Sequence, residues 1–427
     1  MGNMKKWIRI LVAALSVCLI LIVFSGLFIY FSVDSRVEID NTDVTFKNSG
    51  MISRLDSTTV SVDSVSNYVN ALIKTANVQG LAISIINSNK LVYQGYFGKR
   101  NIQQNESFQP GCVWYGASLS KTIFADIVLQ LAEDNIIGLD SPVYKYLRKP
   151  LYAYTTNPLE TFLGSNYFDY SDLEKDPRYK RITPRMCLNH TTGFPNWRWL
   201  EEDGRLKIKS EPGLAYRYSG EGMFLLQFVI EELTGKSLEQ IAFEKVFERR
   251  GMTRSSYVWQ RNYEGNYAVG HDKYGNNLRI PKTNSPNAAG SLSTSLEDYT
   301  KFFIAVLKQE EQRYKDMLTS QVRIKSKQQF GPNASIETEE NEPINLSYGL
   351  GVGLYQTPYG KAFFKEGHLE GWQHYAVGFA DAGTGLIMMA NSDQAESIFK
   401  ELIEFTIGNH YTPWFWEGYI PYDGDMK

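Results

Sequence analysis

The sequence is poor in cysteine and histidine, and its charges nearly balance. Its 427 residues include 3 cysteines and 5 histidines, and 44 Lys plus Arg stand against 47 Asp plus Glu. So few cysteines exclude a disulfide scaffold and a C-x-x-C zinc site, and the lack of an H-E-x-x-H pattern argues against a zinc hydrolase. A net charge of −3 gives no positive field to attract nucleic acid. We therefore expect no metal, no other cofactor and no nucleic-acid partner.

One long apolar run lies near the N-terminus. Residues 10–31 carry no charged side chain, and at about 1.5 Å per helical residue they can cross a hydrocarbon core of about 30 Å. Because basic residues precede the run and acidic ones follow it, residues 1–9 are predicted in the cytoplasm and the rest of the chain outside, as a single-pass membrane protein. A cleaved signal peptide is the alternative, although its apolar region usually has only about 7–15 residues.

The remaining sequence divides into a polar linker over residues 32–59, a folded domain over 60–408 and a C-terminal tail over 409–427. The folded domain has strand-like segments at both of its ends and helix-like segments between them. This order predicts an α+β fold, with one antiparallel sheet built from both termini and a helical subdomain inserted into it. With the apolar run, the expected fold class also includes one N-terminal membrane helix.

The first candidate for chemistry is an S-x-x-K element, Ser118-Leu119-Ser120-Lys121, at the predicted start of a helix. A spacing of three residues puts the Ser hydroxyl and the Lys ammonium on one helical face. A Lys made neutral by burial could take the Ser proton. The same spacing recurs at Ser397 and Lys400, which we interpret as a surface pair.

The second candidate is Tyr218, in a Tyr-Ser-Gly sequence directly before a predicted helix. A Tyr at such a junction can present its phenol to a cleft and serve as a general base beside a Lys. Tyr170, also followed by Ser, matches by letters but lies in an acidic loop. Taken alone, Tyr218 is as compatible with ordinary packing, since the chain has 27 tyrosines.

The third candidate is the stretch Gly367-His368-Leu369-Glu370-Gly371-Trp372, predicted to lie between two strands. A strand edge containing glycine lets a substrate backbone approach. One of its N–H groups could form an oxyanion hole with the N–H of Ser118. We therefore name His368, Glu370 and Gly371 as candidate substrate-binding residues, the alternative being a solvated turn.

Together these elements resemble those of the serine β-lactamase and penicillin-binding-protein superfamily. The likeness is greatest to the class C branch with its esterase and D-peptidase relatives, and it covers residues 60–408. Further landmarks in the family's order are Leu139-Asp-Ser-Pro-Val143, Lys145-Tyr-Leu147, Leu188-Asn-His-Thr-Thr-Gly-Phe-Pro195, Gly251-Met252-Thr253 and Ala289-Gly-Ser-Leu-Ser-Thr294 with Asp298.

The resemblance implies a three-layer α/β/α fold and assigns roles to the matching residues. Ser118 would be the nucleophile, Lys121 its base, and Tyr218 the residue that passes protons to the leaving group and from water. His190 matches a histidine with a structural role. The second motif ends in Gly220 where the family usually has Asn.

The third motif is the other departure, because the family has Lys or His, a small or hydroxyl residue, and then Gly. With His368 first, Glu370 takes the third position and Gly371 comes one place late. In this register a substrate carboxylate would meet the Glu370 carboxylate, which is unfavourable. A bulge that turns Glu370 away is the alternative register.

The function expected from these residues is that of a membrane-anchored, extracytoplasmic serine hydrolase that cleaves an ester or amide through a Ser118 acyl-enzyme. The alternatives are a D-alanyl-D-alanine carboxypeptidase or penicillin-binding protein, a β-lactamase, and a non-catalytic cell-envelope receptor that uses the same cleft. The expected partners are a small-molecule or peptide substrate and, through the N-terminal helix, the membrane. Cys112 and Cys187 either form a disulfide or remain buried thiols.

Overall fold

A computed structural model of the chain describes residues 50–155 and 168–424. The strands are β1 (Met51–Ser53), β2 (Thr59–Ser61), β3 (Gly80–Asn87), β4 (Lys90–Gly98), β5 (Val113–Tyr115), β6 (Ser293–Ser295), β7 (Val322–Arg323), β8 (Ser347–Tyr348), β9 (Gly353–Thr357), β10 (Gly360–Leu369), β11 (Trp372–Phe379) and β12 (Thr384–Ala390). In the described part of the chain eight strands form the main sheet, and four short strands form two separate two-stranded sheets, β1-β2 and β5-β6.

Eight of these strands form one sheet in the order β4-β3-β12-β11-β10-β9-β8-β7. Every neighbouring pair in it is antiparallel. The β3–β12 pair joins the two ends of the domain, with Leu81 opposite Ala390. The expected sheet, built from both termini, is confirmed.

The α-helices are α1 (Val62–Thr75), α2 (Ser120–Glu133), α3 (Pro184–Leu188), α4 (Gly220–Thr234), α5 (Leu238–Ala242), α6 (Leu296–Lys308), α7 (Gln312–Met317), α8 (Phe399–Ile407) and α9 (Trp414–Glu417). Helices α2 to α7 lie in sequence between β4 and β7, which is the predicted helical insertion. Short 3₁₀ turns connect these elements at Ala117–Leu119, Val143–Tyr146, Leu151–Ala153, Ser171–Leu173, Pro177–Arg181, Arg198–Leu200, Arg261–Tyr263, Pro332–Ser335 and Ala395–Ile398, and a π-helical turn at Phe243–Phe247 follows α5.

The sheet buries both of its faces, which makes the domain a three-layer structure. Alternate residues of a strand point to opposite faces, and Ile387 of β12 belongs to one apolar cluster while Leu386 belongs to the other. The first cluster contains side chains of α2, α4 and α6, and the second contains those of α1 and α8. The expected α+β fold with a large antiparallel sheet is thereby confirmed.

Two sequence predictions concern the ends of the chain. The predicted membrane span over residues 10–31 lies outside the described residues. Within residues 50–155 and 168–424 the longest apolar helices are too short to cross a bilayer. After Gly408 the chain packs against the second cluster, where Trp416 is 1% exposed, instead of extending as a separate tail.

The structure also decides between the alternatives for the two described cysteines. Cys112 and Cys187 are both free and buried, and burial raises the pKa of each thiol. They are therefore unreactive packing residues, because the thiolate is the nucleophilic form of cysteine.

Candidate active site

Ser118 lies in the tight turn that leads from β5 into α2. The turn begins where the Gly116 N–H donates to the Leu292 carbonyl at 2.6 Å. Ala117 follows with a φ of +45°, in the left-handed region that residues with a Cβ rarely adopt. This conformation places Ser118 at the surface of the turn, half-buried, two residues before the first residue of α2.

Lys121 points from the first turn of α2 to Ser118. Its Nζ lies 2.9 Å from Ser118 Oγ and donates a hydrogen bond to the Ala289 carbonyl at 2.6 Å. Burial lowers the pKa of Lys121 well below its usual value, and the positive charge of Lys365 adds to the effect. A carbonyl can only accept, so it fixes one N–H of Lys121. The lone pair of the neutral amine remains available to the Ser118 hydroxyl.

Tyr218 enters the same site from the loop before α4. The loop is fixed because the Ser219 hydroxyl accepts from Gly222 N–H at 2.9 Å and so caps α4. The Tyr218 hydroxyl accepts a hydrogen bond from Lys365 Nζ at 3.2 Å, and it lies close enough to Ser118 for that hydroxyl to affect its pKa. Burial raises the pKa of Tyr218 although the charge of Lys365 opposes it, so the resting phenol keeps its proton.

Lys365 is a fourth member of this cluster and was not among the residues predicted from the sequence. It lies in β10 and is 1% exposed. Its Nζ donates to Tyr218 and, at 2.7 Å, to Glu366 Oε1. Burial alone would lower its pKa, but the negative charge of Glu366 and the Tyr218 hydroxyl raise it above the usual value. Lys365 is therefore the charged lysine of the site, and Lys121 the neutral one.

The edge of β10 beside Ser118 is left open by its neighbour. Strand β9 pairs with β10 only as far as Phe364, whereas β11 pairs with it as far as Leu369. A Cβ on Gly367 would lie only 2.9 Å from the Gly116 carbonyl. Only a residue without a side chain allows this approach between the strand edge and the turn that carries Ser118.

His368, Glu370 and Gly371 lie elsewhere, so the predicted register of the third motif is corrected. His368 is largely exposed, and its Nδ1 lies 2.6 Å from Glu396 Oε1. Glu370 is exposed in the β10–β11 turn, and Gly371 completes that turn with a φ of +78°. The described contacts of these three residues do not include Ser118, Lys121 or Tyr218.

The physical reason for the error is the length of β10. The sequence analysis places Gly367 and the residues after it between two strands, but β10 continues in register with β11 as far as Leu369. The signal that could have identified the right position is Lys365-Glu366-Gly367. It carries Lys and Gly at the spacing that the family's third motif requires, with only its middle residue unusual.

The arrangement supplies the parts needed for acyl transfer. The Ser118 hydroxyl can lose its proton to a neutral amine at 2.9 Å, and a protonated phenol beside it can give a proton to a leaving group. Within residues 50–155 and 168–424, His, Cys, Asp and Glu side chains form no cluster suited to a metal ion.

Comparison with known proteins identifies the family of the chain. The family model that matches is Beta-lactamase, over residues 65–405. Among curated proteins, a putative penicillin-binding protein of Bacillus subtilis, PbpX, is 24% identical over 57% of the chain and 57% of its own length. The D-alanyl-D-alanine-carboxypeptidase/endopeptidase AmpH of Escherichia coli is 24% identical over 46% of the chain and 50% of its own length. The chain spans about half the length of the curated relatives it matches.

Solved structures show the same fold at low identity. The octameric penicillin-binding protein homologue from Pyrococcus abyssi superposes with a TM-score of 0.64 and 20% identity, covering 84% of this chain and 80% of that one. A class C β-lactamase gives a TM-score of 0.63 and 17% identity, covering 81% of this chain and 96% of that one. With the family model matched over most of the chain, the protein belongs to the beta-lactamase family of serine hydrolases.

Proposed function

We propose that the protein is a serine hydrolase that cleaves an uncharged ester or amide through an acyl-enzyme on Ser118. The single observation that supports this most is the cluster itself. Lys121, Tyr218 and Lys365 approach one half-buried serine from three separate segments of the chain, within hydrogen-bond distance of it or of each other.

In the proposed reaction Ser118 Oγ attacks the carbonyl carbon of the substrate while its proton passes to Lys121 Nζ. The N–H of Ser118 and an N–H of the open β10 edge are expected to stabilise the oxyanion. The tetrahedral intermediate collapses as the leaving group departs with a proton relayed through Tyr218. Water then attacks the acyl-enzyme, and its proton returns through the same groups.

The surface beside the site suggests the kind of group that the substrate carries. Trp197 stacks on Trp199 with ring centroids 4.6 Å apart, and Lys121 Nζ lies 5.9 Å from the Trp197 ring. On another segment Phe330 packs edge-on against Tyr218 at 5.2 Å. Trp199 is 58% exposed and Phe330 44% exposed. Exposed aromatic rings beside a reactive centre favour an apolar or aromatic substrate group.

The location of the domain is part of the same proposal. The uncharged run over residues 10–31, with Lys5, Lys6 and Arg9 before it, supports a single membrane anchor with the hydrolase domain outside the cytoplasm. Digestion of intact cells with a protease tests this placement. Loss of the domain from intact cells is expected, and its survival until the cells are lysed would contradict it.

The experiment that tests the activity is intact-mass measurement of the full chain, purified in detergent, after incubation with a fluorophosphonate or with a penicillin. We expect a fluorophosphonate adduct that is lost in Ser118→Ala. The matched control is Ser397→Ala, because Ser397 begins the second S-x-x-K sequence but donates to the Gln394 carbonyl on another part of the surface.

Each outcome separates this proposal from its alternatives. A penicillin adduct that equals the fluorophosphonate adduct would favour a penicillin-binding carboxypeptidase or a β-lactamase. The absence of any adduct on a folded chain would contradict the hydrolase and favour a receptor that uses the same cleft.

A further inference from the structure

Lys365 and Glu366 form an ion pair at the reactive centre although they are consecutive residues of one strand. Consecutive side chains of a strand leave it on opposite faces. Here Lys365 Nζ and Glu366 Oε1 nevertheless lie 2.7 Å apart. Both residues lie in the part of β10 beyond Phe364, where β9 no longer pairs with it. Lys365 Nζ also donates to the Tyr218 hydroxyl at 3.2 Å, so the ion pair contacts the reactive centre.

Glu366 is held in this position by a second donor. Gln329 Nε2 donates to the same Oε1 atom at 2.9 Å, and the Gln329 N–H donates to the Trp416 carbonyl at 2.8 Å. Glu366 is 4% exposed. Its Oε2 atom is buried and has no hydrogen-bond partner among the described residues. A carboxylate this buried is retained because the ammonium beside it balances its charge.

Counting the charges at the site shows the consequence of the pair. Burial and the nearby ammonium lower the pKa of Lys121 well below its usual value, which favours the neutral amine. Lys365 is charged, and Glu366 lies 2.7 Å from it with the opposite charge. The ion pair itself therefore contributes no net charge to the pocket around Ser118.

We propose that Glu366 is a specificity-determining residue: it serves as an internal counterion to Lys365 and so excludes substrates that carry a carboxylate on the leaving-group side of the scissile bond. The Lys365–Glu366 pair is expected on the leaving-group side of the substrate, because Lys365 contacts Tyr218, the residue proposed to pass the proton to the leaving group. This inference rests on the proposed function and names its substrate class as esters and amides with an uncharged leaving group.

The expected size of the discrimination follows from the charges. A substrate carboxylate beside Lys365 would have to share that ammonium with Glu366. Two like charges about 4 Å apart in partly screened surroundings reduce binding by about 10-fold to 1,000-fold. A substrate with the same shape and no charge does not meet this repulsion.

The test uses two substrates that differ only in this charge, the acetate ester of 3-hydroxybenzoate and the acetate ester of methyl 3-hydroxybenzoate. We expect the full chain to have a higher kcat/KM for the methyl ester. In Glu366→Gln the ratio of the two kcat/KM values should shift toward the carboxylate substrate by about tenfold or more. Glu366→Thr should shift it in the same direction and serves if the Gln variant does not fold.

Glu370→Gln is the matched control, because it removes the same charge from the exposed turn at the end of β10. Its ratio should equal that of the unmodified chain. An unmodified chain that prefers the carboxylate substrate would overturn the inference, as would a folded Glu366→Gln variant with an unchanged ratio. If Ser118 forms the fluorophosphonate adduct but the ratio does not shift, only this inference fails. If no adduct forms, the proposed function fails and the inference with it.

Discussion

The imidazole ring of His190 lies against the ring of Tyr218, with centroids 4.3 Å apart and ring planes inclined by 33°. His190 Nδ1 accepts a hydrogen bond from the Ser219 N–H at 3.2 Å, so the imidazole also fixes the residue that follows Tyr218. Burial lowers the pKa of His190 well below its usual value, and the positive charge of Lys365 adds to the effect. A neutral His190 thus positions Tyr218 without adding charge to the reactive centre.

A second buried histidine makes stability depend on pH. His374 Nδ1 accepts from the Ala390 N–H, its Nε2 contacts the Tyr115 carbonyl, and burial lowers its pKa from 6.5 to about 4. His374 is therefore protonated below about pH 6.5 in the unfolded chain, but only below about pH 4 in the folded chain. We expect the free energy of unfolding to fall by about 3 kcal/mol over this range because of His374 alone.

Urea denaturation at several pH values measures this loss. His374→Gln should flatten the profile between about pH 6.5 and 4. His410→Gln is the control, since the side chain of His410 is 60% exposed. Parallel profiles for the His374 variant and the unmodified chain would refute the prediction.

Substituting arginine for Lys121 should abolish the proton transfer from Ser118. Arginine stays protonated at every pH used in such experiments, so it cannot take the proton that neutral Lys121 accepts. We expect Lys121→Arg to lower kcat/KM by about 10²- to 10⁴-fold. Hydrolysis of the methyl ester measures the effect, and Lys400→Arg, in the other S-x-x-K sequence, should leave it unchanged. Similar losses in both variants would contradict the assignment.

Removing the phenol oxygen of Tyr218 should slow turnover with little effect on folding. Tyr218→Phe keeps the ring that packs against His190 but loses the hydrogen bond to Lys365 and the hydroxyl beside Ser118. A drop in kcat of about 10²- to 10⁴-fold is expected. Tyr170→Phe tests the other Tyr-Ser sequence, whose buried hydroxyl has no partner among the described residues. Unchanged kcat in Tyr218→Phe would exclude the proton relay.

The exposed aromatic rings should contribute to substrate binding more than to chemistry. Trp199→Ala is expected to raise KM for esters with a large apolar acyl group by about tenfold, the loss of one well-buried apolar contact. Acetate esters, which are too small to reach the ring, should be unaffected. Tyr274→Ala is the control, because Tyr274 is 75% exposed and is not among the aromatic residues of the site. A KM for the large esters that is the same in Trp199→Ala as in the unmodified chain would argue against the apolar surface.

A buried ion pair holds the loop that carries Trp197 and Trp199. Arg198 donates to both carboxylate oxygens of Glu221, at 3.0 and 2.7 Å, and the Glu221 side chain is fully buried. Arg198→Met would leave this carboxylate without its cation, so we expect the free energy of unfolding to fall by about 3–5 kcal/mol. The exposed ion pair between Arg181 and Glu211 is the control. Arg181→Met should lower the free energy of unfolding by only about 0–1 kcal/mol. Thermal denaturation distinguishes the two values.

The sequence predicts the elements with strong local signals and fails where the outcome depends on strand pairing. Helix α1 is an element of the first kind, because its Ser61 cap and its apolar period are local properties. Ser118, Lys121 and Tyr218 were found because the first two are three residues apart at the start of one helix and the third precedes another helix. These three remain predictions for their catalytic roles, although the structure brings them together.

The place of Lys365 in the active site could not be predicted from local sequence signals in this way. Whether a chain continues as a strand past Lys365 depends on β11, which lies on the far side of a turn, and a glycine inside the strand reads as a turn signal. The pairing of Gly367 with His374 shows that the strand continues past Lys365. This pairing belongs to the tertiary structure and leaves no local signal in the sequence. The sequence analysis therefore expected Glu370, instead of Glu366, to be the carboxylate beside the substrate.

The pairing of β3 with β12 determines when this active site can form. Leu81 and Ala390 are neighbours in the sheet although roughly 300 residues separate them in the chain. Closing so long a loop carries a large entropic cost, and folds with such distant contacts fold slowly. The β3–β4 hairpin is synthesised early, and the edge of β3 that pairs with β12 stays unpaired until β12 has left the ribosome. For most of its synthesis the chain therefore has an exposed strand edge that is prone to aggregation, and a chaperone that binds extended apolar segments would shorten that period of risk.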